Sequence, residues 1–184
     1  MFENIIKNVH NRHPLIHCIT NYVSINDCAN IVLACGGAPI MAEDINEVSQ
    51  ITSICQGLDI NIGMLNDNKL SSMLKAGATA NELGIPVILD PVGAGSSDYR
   101  IKAVQNLMSN VQFGVIRGNV SEIKAIAAKQ GIHNIAAGVY DTMQKDKSAM
   151  GVEAGIADKI TDDNIKEMAD FINKLSQKTG AVIA

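Results

Sequence analysis

The sequence predicts an α/β fold in which a mostly parallel central sheet is covered by helices on both faces. Short apolar runs that suit buried strands alternate with amphipathic stretches of helical period along most of the chain. Glycines such as Gly84 and Gly180 follow these stretches and end the predicted helices. Such alternation implies right-handed crossovers and therefore a parallel sheet. The 184 residues suffice for one well-cored domain, so we expect a single domain over residues 1–184.

Before residue 90 the pattern predicts four strands and three helices. Ser24 is a good N-cap for the first helix, in which Ile25, Val32 and Leu33 have the spacing of one apolar face, and Gly36 follows its end. In chain order the predicted elements are the strand 15–19, the helix after Ser24, the strand 38–42, the helix 45–55, the strand 58–62, the helix 68–83 and the strand 85–89.

After residue 90 the same order continues. The predicted elements are the helix 101–108, the strand 113–116, the helix 120–129, a helix that begins at Thr161 and the strand 181–184. The last helix places Met168, Ile172 and Leu175 on one apolar face. Residues 130–160 are rich in Gly, Ala and Asp and follow neither period, so they are predicted as irregular.

The composition limits the function classes. Charged residues make up 18% of the chain, below the roughly 25% typical of soluble domains, which favours an oligomer with a buried interface. A net charge of −4 and 3% aromatic residues argue against nucleic acid as a partner. No apolar run reaches the roughly 18 residues of a membrane span, so we expect a soluble protein. The four cysteines lack C-x-x-C spacing, which indicates reduced thiols and a cytoplasmic location.

Candidate site residues follow the predicted strands. In the stretch DPVGAG, residues 90–95, a carboxylate, a proline and two glycines come after a buried strand. A carboxylate there is unfavourable unless a positive group meets it, and glycines let a loop approach a ligand closely. The candidates are Asn21, Met41, Glu43, Gly63, Asp90, Arg117, Asn119 and Glu122.

These candidates should line one edge of the sheet, because ligands bind at the carboxyl ends of parallel strands. Carboxylates, one guanidinium group and glycine loops at one edge suit a magnesium-bound phosphate beside an uncharged organic group. Phosphoryl transfer fits this set, since it needs mainly positioning and charge stabilisation from the protein.

Five segments carry a resemblance to a known family. HCITNYV, APIMA, NIGML, ANELGIPVILDPVGAG and VIRGNVSEI, in this order and spacing, resemble the hydroxyethylthiazole kinases of thiamine biosynthesis, a branch of the ribokinase-like fold. The resemblance runs from about Pro14 to Glu122 and resumes in GVEAG and TGAVIA, so it covers most of the chain. It implies a ribokinase-like three-layer α/β/α fold with a mostly parallel central sheet.

The resemblance also implies an activity and a set of roles. The expected enzyme uses ATP and Mg²⁺ to phosphorylate the hydroxyl group of 4-methyl-5-(2-hydroxyethyl)thiazole, and it is a homotrimer with the thiazole pocket at a subunit interface. By their match to family positions, the residues are Asn21, Met41 and Gly63 for the thiazole, Arg117 and Asn119 for ATP, and Asp90 and Glu122 for the metal.

The sequence differs from the family pattern at its C-terminal end. Family members continue past the strand 181–184 into an I-T-G turn and a G-[TSA]-G-C loop, which binds the transferring phosphate and carries the catalytic cysteine. We therefore expect either a C-terminally incomplete sequence or a polypeptide that is not fully active by itself. Cys18, Cys28, Cys35 and Cys55 do not match that cysteine, so no catalytic residue is assigned.

Several candidates also suit purely structural roles. Asn119 and Glu122 have the N-x-x-E spacing of a capping box at a helix start. Asp90 suits an Asx turn, Met41 suits a core position, and Arg117 suits a structural ion pair.

Two other functions are compatible with the same fold. One is a different ribokinase-like kinase for a small alcohol, such as a pyrimidine alcohol. Another is a non-catalytic subunit that binds a nucleotide or the thiazole. A Rossmann dehydrogenase is disfavoured, because ITNYVS follows the first predicted strand where a G-x-G-x-x-G motif would stand.

Overall fold

The computed structural model of the protein describes residues 2–132 and 160–184. Helices and strands alternate through both ranges. They are α1 (Phe2–Arg12), β1 (Leu15–Ile19), α2 (Ile25–Ala34), β2 (Ala38–Met41), α3 (Val48–Ile54), β3 (Gly57–Asn61), α4 (Asp67–Glu82), β4 (Val87–Asp90), α5 (Asp98–Asn110), β5 (Val115–Ile116), α6 (Val120–Lys129), α7 (Ile165–Thr179) and β6 (Val182–Ile183).

The six strands form one parallel sheet in the order β2-β1-β3-β4-β5-β6, with helices on both sides. The chain moves from β1 outward to β2, returns past β1 to β3, and then continues in one direction to β6. Because crossovers between parallel strands are right-handed, α2 lies on one face and the helices of the later crossovers lie on the other. This arrangement confirms the predicted α/β fold.

The apolar core lies between the sheet and the helices of the later crossovers. Leu58 and Ile60 of β3 and Leu89 of β4 point into this core and are at most 1% exposed. They belong to one cluster with buried side chains of the helices, among them Met73, Leu107 and Phe171. The core therefore supports β3 and β4 from one face only.

The opposite face of the central strands carries polar side chains. Asp59 and Asn61 alternate with the core residues of β3, and Asp90 follows Leu89 in β4. Because successive side chains of a strand point to opposite faces, all three carboxylate and amide groups lie on the face away from the core. Asn61 is the register partner of Asp90, so these two side chains lie next to each other at the carboxyl end of the sheet.

Some predicted boundaries differ from the structure. Helix α1 was not predicted, and α3 begins at Val48, three residues after the predicted start. Helix α5 begins at Asp98 rather than at residue 101, because the Ser97 hydroxyl accepts a hydrogen bond from the Arg100 N–H at 3.2 Å. Most of the predicted irregular stretch, residues 133–159, lies outside the described residues.

Ser24 occupies the N-cap position of α2, as predicted. Its side chain makes no capping hydrogen bond. Instead, Oδ1 of Asn21 accepts hydrogen bonds from the Ser24 N–H at 3.0 Å and from the Ser24 hydroxyl at 3.1 Å. The residue that orders this helix start is therefore one of the predicted site residues.

None of the helices in the described ranges combines the length and the apolar character that crossing a membrane would require.

Candidate functional site

The loops that follow the strands lie at one edge of the sheet. Between β1 and β3 the loops diverge to opposite sides. The chain leaves β1 towards β2 and leaves β3 towards β4, so the two connections run in opposite directions. Such a switch point opens a crevice, and parallel α/β sheets bind ligands there. Asn21 follows β1 and Gly63 follows β3, so both predicted residues border this crevice.

Hydrogen bonds connect Asn21 and Gly63 through Asn61. Oδ1 of Asn61 accepts from the Gly63 N–H at 2.8 Å and from Nδ2 of Asn21 at 3.2 Å. A Cβ atom at Gly63 would lie 2.9 Å from Oδ1 of Asn61, so a larger residue would displace this contact. Asn61 was not predicted from the sequence. Its signal was a polar side chain two residues after Asp59, on the same face of the strand.

Met41 ends β2 and is half-buried beside the crevice. The backbone just after it is held by the buried His17, whose Nε2 lies 2.8 Å from the Ala42 carbonyl oxygen. Nδ1 of the same ring lies 2.9 Å from the Thr52 hydroxyl. Burial lowers the pKa of His17, although the Ala42 hydrogen bond acts in the opposite direction, so the ring is a neutral donor to Ala42.

A buried lysine joins the loops that follow β1 and β2. Nζ of Lys69, at the start of α4, lies 2.7 Å from Oε2 of Glu43 and donates to the Thr20 carbonyl oxygen. The same ammonium group lies 4.7 Å from the centre of the Tyr22 ring, and the Tyr22 hydroxyl donates to Glu43. We call these four residues the Lys69 cluster. Burial opposes ionisation of Glu43, but hydrogen bonds from Lys69 and Tyr22 outweigh it and lower the pKa of Glu43.

Glu43 was among the residues predicted from the sequence, whereas Lys69 was not. A lysine in the first turn of a helix is unfavourable, because the positive end of the helix dipole lies there. That position in the sequence was the available signal, since such a lysine needs a carboxylate partner.

Asp90 and Arg117 form the charged part of the edge. Nη1 of Arg117 lies 3.3 Å from Oδ2 of Asp90, and the Arg117 side chain is 69% exposed. Burial raises the pKa of Asp90, although the Arg117 charge and a hydrogen bond from Asn61 act to lower it. Nearby, burial and the Asp90 charge raise the pKa of Asp59 to about 6, against the effect of Arg117. The ion pair anticipated for Arg117 is therefore present, and its guanidinium group remains accessible from solvent.

Glu122 holds the loop that follows Asp90. Its Oε1 accepts from the Gly93 N–H at 2.8 Å, and its Oε2 accepts from the Asn119 N–H at 2.8 Å. Oδ1 of Asn119 accepts from the Glu122 N–H at 2.9 Å, which completes the capping box. Gly93 has φ of +65°, a conformation that glycine adopts without strain. The structural role anticipated for Asn119 and Glu122 is thus confirmed, and Glu122 is only 6% exposed.

Arg100 joins two further loops and was missed by the sequence analysis. Its Nη1 donates to the carbonyl oxygens of Ile62 at 2.6 Å and Val92 at 2.9 Å, and its Nη2 donates to that of Gly63 at 2.9 Å. The sequence signal was weak, because Arg100 lies in the first turn of α5, ten residues after Asp90.

The edge therefore has two parts with different chemistry. The part near β1, β2 and β3 offers amide and thioether groups, which suit an uncharged heterocycle. The part near β4 and β5 offers Asp90, Arg117 and Glu122. Within residues 2–132 and 160–184 there is no group of three or more His, Cys, Asp and Glu side chains that could hold a metal ion. A cation bound here would need ligands from a bound molecule, as Mg²⁺ takes from phosphates.

Comparison with known proteins gives one consistent result. The pattern of the Hydroxyethylthiazole kinase family matches residues 6–175. A hydroxyethylthiazole kinase of Clostridium acetobutylicum is 52% identical over 184 residues, which are 100% of this chain and 62% of that protein. One of Methanobrevibacter smithii is 44% identical over 179 residues, 97% of this chain and 59% of that protein.

A solved structure agrees with these sequence relatives. The hydroxyethylthiazole kinase protein of Pyrococcus horikoshii OT3 superimposes with a TM-score of 0.68 at 37% identity, covering 77% of this chain and 53% of that one. This chain thus spans about 60% of the length of the curated relatives, at 62% and 59% of the two named above. With a family match over most of its residues, the chain belongs to the hydroxyethylthiazole kinase family.

Proposed function

We propose that the protein is a cytoplasmic kinase that transfers the terminal phosphoryl group of ATP to the hydroxyl group of 4-methyl-5-(2-hydroxyethyl)thiazole, in thiamine biosynthesis and salvage. The observation that carries this proposal is the two-part edge of the sheet, in which a crevice bordered by amide and thioether side chains adjoins the Asp90–Arg117 pair. An alcohol and a triphosphate bound side by side need this combination. The names of the relatives favour the same reaction. We assign residues 1–184 to one ribokinase-like domain.

For the alcohol we propose Asn21, Met41 and Gly63 as contacts. Asn21 and Gly63 border the crevice, and Asn61 holds both of them. Met41 presents a polarizable side chain from the end of β2, which suits the flat face of a thiazole ring. The His17 contact to Ala42 keeps the backbone after Met41 in place.

For the nucleotide we propose Arg117 and Asn119 as contacts, and Asp90 and Glu122 as the carboxylates beside the metal. The residues fit Mg²⁺, because this ion is commonly held by one or two carboxylates together with substrate phosphates and water. When bound, Mg²⁺ would neutralise charge on the phosphate oxygens. The exposed Arg117 side chain can move from Asp90 to a phosphate, whereas Glu122 acts mainly by holding the loop at Gly93.

We also propose a homotrimer with the alcohol site at a subunit interface. No residue of α2 is buried, although the helix is largely apolar, and Ile31 and Leu33 are 61% and 57% exposed. Val23, just before this helix, is 94% exposed. An apolar surface of this kind is typical of an interaction site, and it adjoins the crevice at Asn21. Light scattering of the purified protein would measure the assembly, and a monomer would contradict this part of the proposal.

The central test is an assay of ATP-dependent phosphorylation on protein expressed from its complete natural reading frame. The wild type should phosphorylate the thiazole alcohol in a Mg²⁺-dependent reaction and should prefer it to a pyrimidine alcohol. Asp90→Asn should lower kcat by on the order of 10²-fold, because a charged group at the phosphate site is lost, with KM for the alcohol changed less than about threefold.

Two results of this assay would contradict the proposal. A wild type without activity on the thiazole alcohol would exclude the reaction. A wild-type kcat in the Asp90→Asn variant would remove Asp90 from the phosphate site while leaving the assignment of the substrate intact.

A further inference from the structure

The side chain of Arg100 connects two loops that belong to different parts of the site. We call residues 62–66 the Gly63 loop and residues 91–97 the Gly93 loop. Arg100 donates to the carbonyl oxygens of Ile62 and Gly63 in the first loop and of Val92 in the second, at 2.6 to 2.9 Å. One half-buried guanidinium group thus fixes the distance between the two loops.

The partners of Arg100 point to a positioning role rather than to charge neutralisation. No carboxylate of the described ranges lies within ion-pair distance of this guanidinium group. All three acceptors are uncharged backbone carbonyl groups. Bonds to such groups hold the backbone of the loops in place and neutralise no charge. Arginine suits this role because its planar fork directs several donors at fixed angles, which an ammonium group does not do.

Apart from Arg100, the Ile62 N–H donates to the Asp90 carbonyl oxygen at 3.1 Å, which continues the β3–β4 pairing to the start of the Gly63 loop. Beyond this bond, side chains attach the two loops to different elements. The Gly63 loop is held by Asn61, through the bond to the Gly63 N–H. The Gly93 loop is held by Glu122 of α6, through the bond to the Gly93 N–H. Arg100 therefore connects two loops that are each also held by another side chain. One is the Gly63 loop, and the other is the Gly93 loop, which directly follows Asp90.

We propose that Arg100 is a positioning residue that holds the alcohol-binding Gly63 loop in register with the phosphate-binding Gly93 loop. The inference rests on the proposed function, because it assigns the alcohol to one loop and the phosphate to the other. Displacement of one loop against the other moves the acceptor hydroxyl away from the transferring phosphoryl group. Phosphoryl transfer is sensitive to such displacement, since shifts of about 1 Å lower rates by on the order of 10²-fold.

The kinetic experiment compares Arg100→Met and Arg100→Lys with Lys102→Met, a matched change at an exposed position of the same helix. Arg100→Met should lower kcat by on the order of 10²-fold while KM for the alcohol and for ATP each change less than about threefold. Arg100→Lys should recover only part of this loss, and Lys102→Met should keep the wild-type kcat. Guanidinium ion at low millimolar concentration should partly restore kcat in Arg100→Ala.

A second measurement does not depend on activity. Hydrogen exchange should become roughly tenfold faster at backbone amides of both loops in Arg100→Met, and not in Lys102→Met, because bonds from a charged donor are lost in each loop. Exchange along the rest of α5 should stay at the wild-type rate, which separates local loosening from unfolding of the helix.

The outcomes distinguish the two proposals. If the wild type is inactive but both loops loosen together in Arg100→Met, the proposed function fails and the connection between the loops stands. If kcat in Arg100→Met stays within twofold of the wild type, or if only one loop loosens, the positioning role is overturned. A rise in KM with unchanged kcat would also overturn it, since that result indicates a simple binding contact.

Discussion

At the residue scale, Met41 tests whether a half-buried apolar side chain serves the substrate or only the fold. Met41→Ala should raise KM for the thiazole alcohol about tenfold and change kcat little, because a contact made equally in the ground and transition states is lost. Steady-state kinetics with varied alcohol concentration measures both constants. An unchanged KM would place Met41 in the core alone.

Met108→Ala is the matched control for Met41. Met108 is also half-buried, but it lies near the end of α5, at the opposite edge of the sheet. Its truncation should lower the melting temperature without changing KM for the alcohol, because it removes only packing. If both variants raise KM to the same extent, the effect reflects general loosening rather than a pocket contact.

Site residues that directly follow strands could be predicted from the sequence. Site residues whose role depends on which strands are neighbours could not. Gly63 was identified because glycine follows an apolar strand. Asn61 was missed because its role depends on lying beside Asp90 across two strands, and sequence periodicity does not specify which strands are neighbours. Arg100 was missed for the same reason, since its acceptors lie up to 38 positions away along the chain.

At the element scale, the Lys69 cluster joins the first turn of α4 to the loops after β1 and β2, next to Asn21 and Met41. Lys69→Met should lower the free energy of unfolding by about 1–3 kcal/mol, because Glu43 and the Thr20 carbonyl group lose a charged donor. It should also raise KM for the alcohol, since both loops become less ordered. Chemical denaturation and steady-state kinetics measure the two effects.

Two further variants make the Lys69 experiment specific. Lys75→Met changes an exposed lysine of the same helix, which donates only to the exposed Ile45 carbonyl oxygen at 2.8 Å, and it should alter stability by less than about 1 kcal/mol. Adding Glu43→Gln to Lys69→Met should recover part of the lost stability, because it removes the carboxylate left without its partner. Additive losses in the double variant would show that the two side chains do not act as a pair.

Helix starts were predicted well where a local capping motif determines them, and less well where other contacts contribute. Helix α6 was predicted at its observed bounds, because Asn119 and Glu122 form a capping box that is visible in the sequence. The start of α2 after Ser24 was predicted at its observed position, but the Ser24 side chain makes no capping hydrogen bond, and it is Asn21 that accepts hydrogen bonds from Ser24. Helix α1 was not predicted although Ile5, Ile6 and Val9 have the spacing of one apolar helix face, so here the local pattern was present in the sequence and was missed.

At the scale of the whole molecule, alternation of strands and helices predicted a parallel sheet but not its strand order. The order decides function here, because the reversal at β1 creates the crevice beside Asn21. A sheet with the same elements and no reversal would lack this crevice. The fold class was therefore accessible from local patterns, whereas the position of the site required the topology.

The whole molecule also responds to pH through Asp59, which lies on the sheet face opposite the core. Its pKa of about 6 in the folded protein exceeds the roughly 3.9 of an unfolded chain, so ionisation destabilises the fold. This group therefore lowers stability progressively as pH rises from about 4 through 6, and the cost is complete above pH 7. Asp59→Asn should be more stable than the wild type by on the order of 1–3 kcal/mol at pH 7.5, and this gain should vanish near pH 4.

The measurement is urea denaturation of the wild type and Asp59→Asn at several pH values, with Asp170→Asn as the control. Asp170 is exposed on α7, so its replacement should change the free energy of unfolding only slightly. The His17 contribution runs in the opposite direction, because burial lowers its pKa and stability falls as pH decreases below about 6.5. Because the wild type and both variants contain His17, its contribution cancels in the difference in free energy of unfolding. A gain in Asp59→Asn that does not depend on pH would show that the pKa of Asp59 is not elevated.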